Sequence, residues 1–147
     1  MEYVRLGKTN LLISRTAFGA QSLKDTGSED NAAALVRQAY NAGINFFDTS
    51  RTKPECEKLL GYLLRGVRQN IFLATKTSAQ SVHELLSNLD ESLTAMQTDT
   101  VDLYQFESDT TVPLLGGPDG VYAALVDLKA EGKIKHIGFA TQDFDTA

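Results

Sequence analysis

Gly43-Ile44-Asn45-Phe46-Phe47-Asp48-Thr49, Ile71-Phe72-Leu73-Ala74-Thr75-Lys76 and Val101-Asp102-Leu103-Tyr104-Gln105-Phe106-Glu107 decide the fold. Each is an apolar run of strand length that ends on or beside a polar residue suited to chemistry. The intervals from Asp48 to Lys76 and from Lys76 to Glu107 are each about one βα repeat. Parallel strands point the same way, so residues at their C-terminal ends gather at one rim. In a β/α barrel that rim is where chemistry sits.

The segments around these runs alternate with them. Tyr3–Leu6 and Leu11–Ser14 flank the turn residues Gly7-Lys8-Thr9-Asn10 and predict a hairpin over residues 1–14. Thr16–Ala20 reads as a short buried strand, and Lys24–Asn31 as a loop. Helices are expected over Ala32–Ala42, Glu55–Arg65, Ser81–Gln97 and Asp119–Glu131, stopped in three cases by Gly43, Gly66 and Gly132. Ala34, Leu35, Val36, Ala39 and Tyr40 form the apolar side of the first helix. Val82, Leu85, Leu86, Leu89, Leu93 and Met96 form that of the third, with Ser81 and Glu84 as a capping box. Ser108–Gly117 is a loop, and Lys133–Thr141 a last strand.

Strict alternation of five strands with four helices predicts an α/β fold with one parallel sheet. The first strand runs into Phe18-Gly19-Ala20-Gln21-Ser22, which is not the glycine fingerprint of a doubly wound nucleotide fold. A barrel fits better, because Asp48, Lys76 and Glu107 fall at successive strand ends. A complete barrel takes eight strands and about 250 residues. The expectation is therefore a partial (β/α)8 TIM-type barrel, with residues 1–147 as one incomplete domain.

The net charge of −5 excludes nucleic acid and anionic membrane as default partners. The single cysteine, Cys56, allows no internal disulfide and fits a reducing cytoplasm. No signal peptide or membrane-spanning run is expected. Cys56 has no partner cysteines, so no zinc or iron–sulfur site is expected within one chain. His83 reads as a surface residue, and His136 lies at the rim opposite the chemistry. Cys56 reads as a small residue near a helix start, and Gly116, Gly117 and Gly120 as a turn without the Lys-Ser/Thr step of a phosphate loop.

Several of these runs together resemble the aldo-keto reductase family. Met1–Thr9 is similar to its capping hairpin, Ala42–Thr49 to its second-strand motif and Phe72–Lys76 to its third. Gln97–Gln105 is similar to the approach to its fourth strand, and Gly132–Gly138 to its fifth. The stretch Leu115–Gly120 resembles a bacterial and archaeal branch that includes ferredoxin-domain-containing members. The resemblance implies NAD(P)H-dependent carbonyl reduction, in which a tyrosine protonates the forming alkoxide, a lysine paired with an aspartate sharpens its acidity, and a histidine orients the carbonyl. It assigns Asp48 and Lys76 to the aspartate and lysine. At the tyrosine position stands Lys53, and at the histidine position Glu107. Gly19, Ala20, Asp48, Ala140 and Thr141 are the cofactor contacts it implies, for NADP or NAD.

With no tyrosine or histidine in place, and with the family's main cofactor contacts on later strands, the chain alone is expected to be inactive or incomplete. The alternative is a non-catalytic half-barrel that self-associates. Its inner face would expose Phe46, Phe72, Ala74 and Leu103. Strands 16–20 and 134–141 would be open edges, which invite pairing. The expected partner is a second copy or a missing C-terminal half supplied in trans.

Overall fold

In the computed structural model these runs form a two-stranded hairpin and a five-stranded sheet with four helices; the structure describes residues 1–109, 112–114, 116–118, 120–143 and 145. β1 (Tyr3–Arg5) and β2 (Leu12–Ser14) pair antiparallel. Leu6 N–H to Leu11 O at 3.0 Å closes their turn, where Gly7 takes a left-handed φ of 53°. Asn45, just ahead of the second parallel strand, anchors this hairpin. Its side-chain oxygen accepts from Ser14 N–H at 2.6 Å, and its amide donates to Leu12 O at 3.0 Å. The hairpin is thus tied to the N-terminal end of the sheet.

β3 (Phe18–Gly19), β4 (Phe46–Asp48), β5 (Phe72–Thr77), β6 (Val101–Glu107) and β7 (Ile134–Ala140) lie side by side in chain order, every pair parallel. β3 and β7 are its two edges among the described residues. This is the parallel α/β sheet expected from the alternation.

The helices are α1 (Glu29–Asn41), α2 (Pro54–Leu64), α3 (Val82–Met96) and α4 (Val121–Ala130). α1 begins at Glu29 instead of the expected Ala32. Ser28 caps it by accepting from Asn31 N–H at 3.1 Å, and the acidic Glu29 and Asp30 suit its positive end. The expected loop before it contains a 3₁₀ turn, Leu23–Thr26. Gly66 does not stop the chain at the end of α2, because a 3₁₀ turn over Arg65–Asn70 leads on toward β5. Ser81 caps α3 through Glu84 N–H at 3.2 Å, but the Glu84 carboxylate returns to Gln80 N–H at 2.8 Å and not to Ser81. The expected start of α4 at Asp119 lies outside the described residues, as do Thr110, Thr111 and Leu115 of the preceding loop and Phe144, Thr146 and Ala147.

Leu35 and Leu86, expected on apolar faces, are 44% and 45% exposed. The rows facing the sheet are Ala32 with Val36, and Leu85 with Leu89, each four residues apart. Leu35 and Leu86 sit about 100° around the helix from their buried neighbours. The core lies between the sheet's rear face and the helices, around Phe47, Leu60, Leu73, Leu85, Leu89 and Leu125. Gly61 lets α2 lie directly on the end of α3, since a Cβ there would sit 2.3 Å from Met96 Cα.

Phe46, Phe72 and Leu103 on the front face are half-buried. Ala74, expected to be exposed with them, is 0% exposed. It pairs with Asp48 on one side and Leu103 on the other, so larger neighbours cover its single methyl.

Candidate functional site

Strand register assembles the rim. Asp48 is paired with Ala74, Lys76 with Gln105, and Glu107 with Ala140. Side chains alternate along a strand, so Asp48, Lys76, Gln105 and Glu107 all stand on the front of the sheet, at its C-terminal end.

Asp48 and Lys76 form an ion pair through Lys76 Nζ and Asp48 Oδ2. Lys76 also donates to Thr49 O at 2.9 Å, and it is 8% exposed. The second carboxylate oxygen, Asp48 Oδ1, accepts from Gln105 Nε2 at 3.3 Å. Burial pushes the Asp48 carboxyl above its ordinary pKa, and the nearby Glu107 charge adds to this. The hydrogen bond and charge of Lys76, and the Gln105 contact, pull the other way. A lysine this buried persists because one carboxylate and one carbonyl hold its ammonium.

Glu107 closes β6 and meets the loop after β4. Its Oε2 accepts from Ser50 Oγ at 3.1 Å, and Ser50 Oγ lies 2.9 Å from Thr52 Oγ1. The rim is thus one connected polar cluster, from Gln105 through Asp48 to Lys76, with Glu107 and Ser50 beside it.

Lys53 does not join the contacts of this pair. Its side chain is exposed, and its backbone is the N-cap of α2, ahead of Pro54 at the helix start. Its carbonyl accepts from Cys56 N–H at 2.9 Å and Glu57 N–H at 3.1 Å. Gly19 pairs with Asp48 on β3, and a Cβ there would meet nothing within 4 Å. Ala20 is fully buried, and its N–H donates to Asp48 O at 2.7 Å. Ala140 O accepts from Ser108 N–H at 3.1 Å. The Thr141 hydroxyl donates to Asp109 Oδ1 at 3.1 Å and accepts from Asp143 N–H at 3.0 Å.

Cys56 is buried and its thiol donates to Gln21 O at 3.3 Å. His83 is exposed. His136 pairs with Leu103, near the start of β7 and away from the rim; burial, then the Lys129 charge, lower its pKa. Among the described residues no cluster of His, Cys, Asp and Glu is placed to hold a metal ion, and no helix is long and apolar enough to cross a membrane.

Gln105, Ser50 and the Thr49 carbonyl belong to this cluster and were not singled out from the sequence. Gln105 carries a signal, since it stands two residues before Glu107 and so shares its face. Ser50 carries none, because a loop serine has no period that aims it.

A dinucleotide cofactor brings a pyrophosphate, and these rim residues do not fit one. Asp48 and Glu107 are two carboxylates beside one ammonium, and Asp48 already pairs with that ammonium. The Thr141 hydroxyl is engaged with Asp109 of the loop after β6 and with Asp143 of its own loop. What the rim holds is a lysine–aspartate pair, with the lysine buried, at the C-terminal ends of adjacent strands.

Residues 15–147 match the model of the Aldo/keto reductase family. L-galactose dehydrogenase of Arabidopsis thaliana is 34% identical over 99% of this chain and 50% of its own length. 6-dehydroglucose reductase of Novosphingobium aromaticivorans is 31% identical over 91% of this chain and 49% of its own. Among solved structures, the holo form of an aldo-keto reductase from Bacillus halodurans superposes with a TM-score of 0.86 at 29% identity, over 97% of this chain and 51% of that one. The chain spans about half the length of the curated relatives it matches.

Proposed function

The chain belongs to the aldo/keto reductase family, and from that premise we propose that it supplies the first half of the rim of a carbonyl-reducing barrel. The observation that carries this reading is the Asp48–Lys76 pair at adjacent strand ends, with its lysine buried. NADPH or NADH, held by the remainder of such a barrel and not by the rim residues described here, would supply the hydride. This chain's own part is to hold a buried ammonium where an alkoxide would form, which favours a proton donor bound against it. The Thr49 carbonyl and Asp48 fix that ammonium, and Gln105 fixes Asp48.

The residues at the donor and orienting positions do not complete the reaction. Lys53 points its exposed side chain to solvent, and Glu107 is bonded to Ser50. An ionised carboxylate only accepts hydrogen bonds and cannot polarise a carbonyl as a donor does. The proposal is therefore that residues 1–147 are inactive by themselves, in a cytoplasmic setting. NADPH consumption with a simple aldehyde tests this. The wild-type full chain is expected at background. Saturable turnover by the wild type would overturn the inactive reading. Saturable turnover by Lys53→Tyr/Glu107→His, with the rest of a barrel present, would support the reductase frame.

The open edges favour a second reading, a half-barrel that acts by association. Among the described residues no strand pairs with the outer sides of β3 and β7, and Phe46, Phe72 and Leu103 are half-exposed on the front. The proposed partner is a second copy or a complementary half-barrel supplied in trans. Light scattering is expected to give a dimer or a larger species; a monodisperse, cooperatively melting monomer would remove this reading.

A further inference from the structure

Directly behind the rim, on the helix-facing side of the sheet, lies a second polar cluster. Its centre is Glu57, which is 0% exposed. Glu57 Oε1 accepts from Thr75 Oγ1 at 2.7 Å and from Ser92 Oγ at 2.7 Å. Glu57 Oε2 accepts from Arg51 Nη1 at 2.6 Å. Two of these partners adjoin rim residues in the chain, Thr75 next to Lys76 and Arg51 next to Ser50. The Arg51 N–H also donates to Lys76 O at 2.9 Å, and Lys53 N–H to Ser50 O at 3.0 Å.

We propose that Glu57 is a positioning residue for the rim: through Arg51 and Thr75 it holds the segment 49–53 against the end of β5. Ser50 is thereby kept on Glu107, and the Thr49 carbonyl on Lys76. The inference rests on the proposed function only in treating the rim as a site, because its test reads rim geometry and not turnover.

The groups facing Glu57 are Arg51 from the loop, Thr75 from β5, Tyr104 from β6, and Ser92 with Glu91 from α3. Burial is the largest influence on Glu57 and raises its pKa; Thr75, Ser92 and Arg51 oppose it, and Glu91 adds to it. Burial likewise raises the Tyr104 phenol, which stays neutral. Protonating Glu57 removes the charge that Arg51 holds, so the segment loosens locally. The same protonation relieves the cost of a buried charge, so this group's contribution to global stability rises. Local order and global stability move in opposite directions. A residue that only filled the core would move them together.

Hydrogen exchange of the full chain, followed by NMR between pH 7 and pH 4.5, separates the two. Glu57→Gln keeps the shape and removes the charge. It is expected to lower the protection factors of the Arg51 and Lys53 amides about tenfold, with less than about a twofold change along β6. The wild type should approach that pattern as pH falls, while Glu57→Gln stays flat. Arg51→Gln, at a half-buried position, should give the same local loss and serves if Glu57→Gln does not fold. A uniform loss across loop and ladder, or no change at residues 51 and 53, would overturn the assignment.

Discussion

The two faces of one sheet follow different rules. On the rear, Phe47, Leu73, Thr75 and Tyr104 are no more than 1% exposed, pressed against helices. On the front, Phe46, Phe72 and Leu103 are half-buried, while Ala74 and Lys76 on the central strand are buried, and the charged rim lies at the end of the strands. The same strands make both faces, since alternate side chains point opposite ways. Burial has two faces to fill, and helices cover one. The rear holds most of the buried apolar surface of this domain, and the front holds the charged rim of Asp48, Lys76 and Glu107.

The contrast can be broken most severely from behind. Gly61→Ala puts a methyl 2.3 Å from Met96 Cα and 2.5 Å from Met96 O, and backbone cannot step aside as a side chain can. A loss of about 4 kcal/mol is expected, at the upper end for overpacking, and read as a collapse of the thermal transition. Phe47→Ala should cost about 3 kcal/mol by urea unfolding, because it empties a fully buried site. Phe46→Ala, its neighbour on the front, should cost about 1 kcal/mol, since part of its surface is already wet. Equal costs at the two positions would remove the distinction.

Asp48→Asn tests the front on its own terms. Lys76 would keep Thr49 O but lose its carboxylate. The Asp48 side chain is 26% exposed, so water softens the loss, to about 1–2 kcal/mol. Titration then sharpens the comparison. The folded pKa values of Asp48 and Glu57 both lie above their ordinary ones, 3.8 and 4.5. The folded state therefore binds more protons than the unfolded state above those values. The stability these two groups contribute is present below them and is lost as pH rises through the raised folded pKa values. Glu57→Gln should flatten that slope in denaturant titrations more than Asp48→Asn, because Glu57 is the more deeply buried. The smallest effect is expected at Lys53→Ala, less than about 0.5 kcal/mol, since its side chain is exposed.

Much of the fold was legible because periodicity reports which side of a strand or helix is buried. The runs ending at Asp48, Lys76 and Glu107 became β4, β5 and β6 in that order, and Asp48 and Lys76 form the ion pair that the family resemblance implies. Ser81 as the cap of α3 was legible for the same local reason. Leu35 and Leu86 were misread because hydrophobicity marks a helix stripe only to within a residue, and packing selects the row that faces the sheet. Ser50 and Glu57 escaped notice because their partners, Glu107 and Ser92, are distant in the chain.

By itself the sequence determined the alternation, the direction of the strands and the rim on which Asp48, Lys76 and Glu107 would meet. These depend on local spacing, which a linear pattern records. Only tertiary structure decided that Lys53 would cap a helix and leave the pair alone, that Glu107 would bind Ser50, and that a carboxylate behind the sheet would buttress the rim in front. Those outcomes depend on which elements pack together and on how deeply each charge is buried, and neither quantity is written in any one segment of the chain.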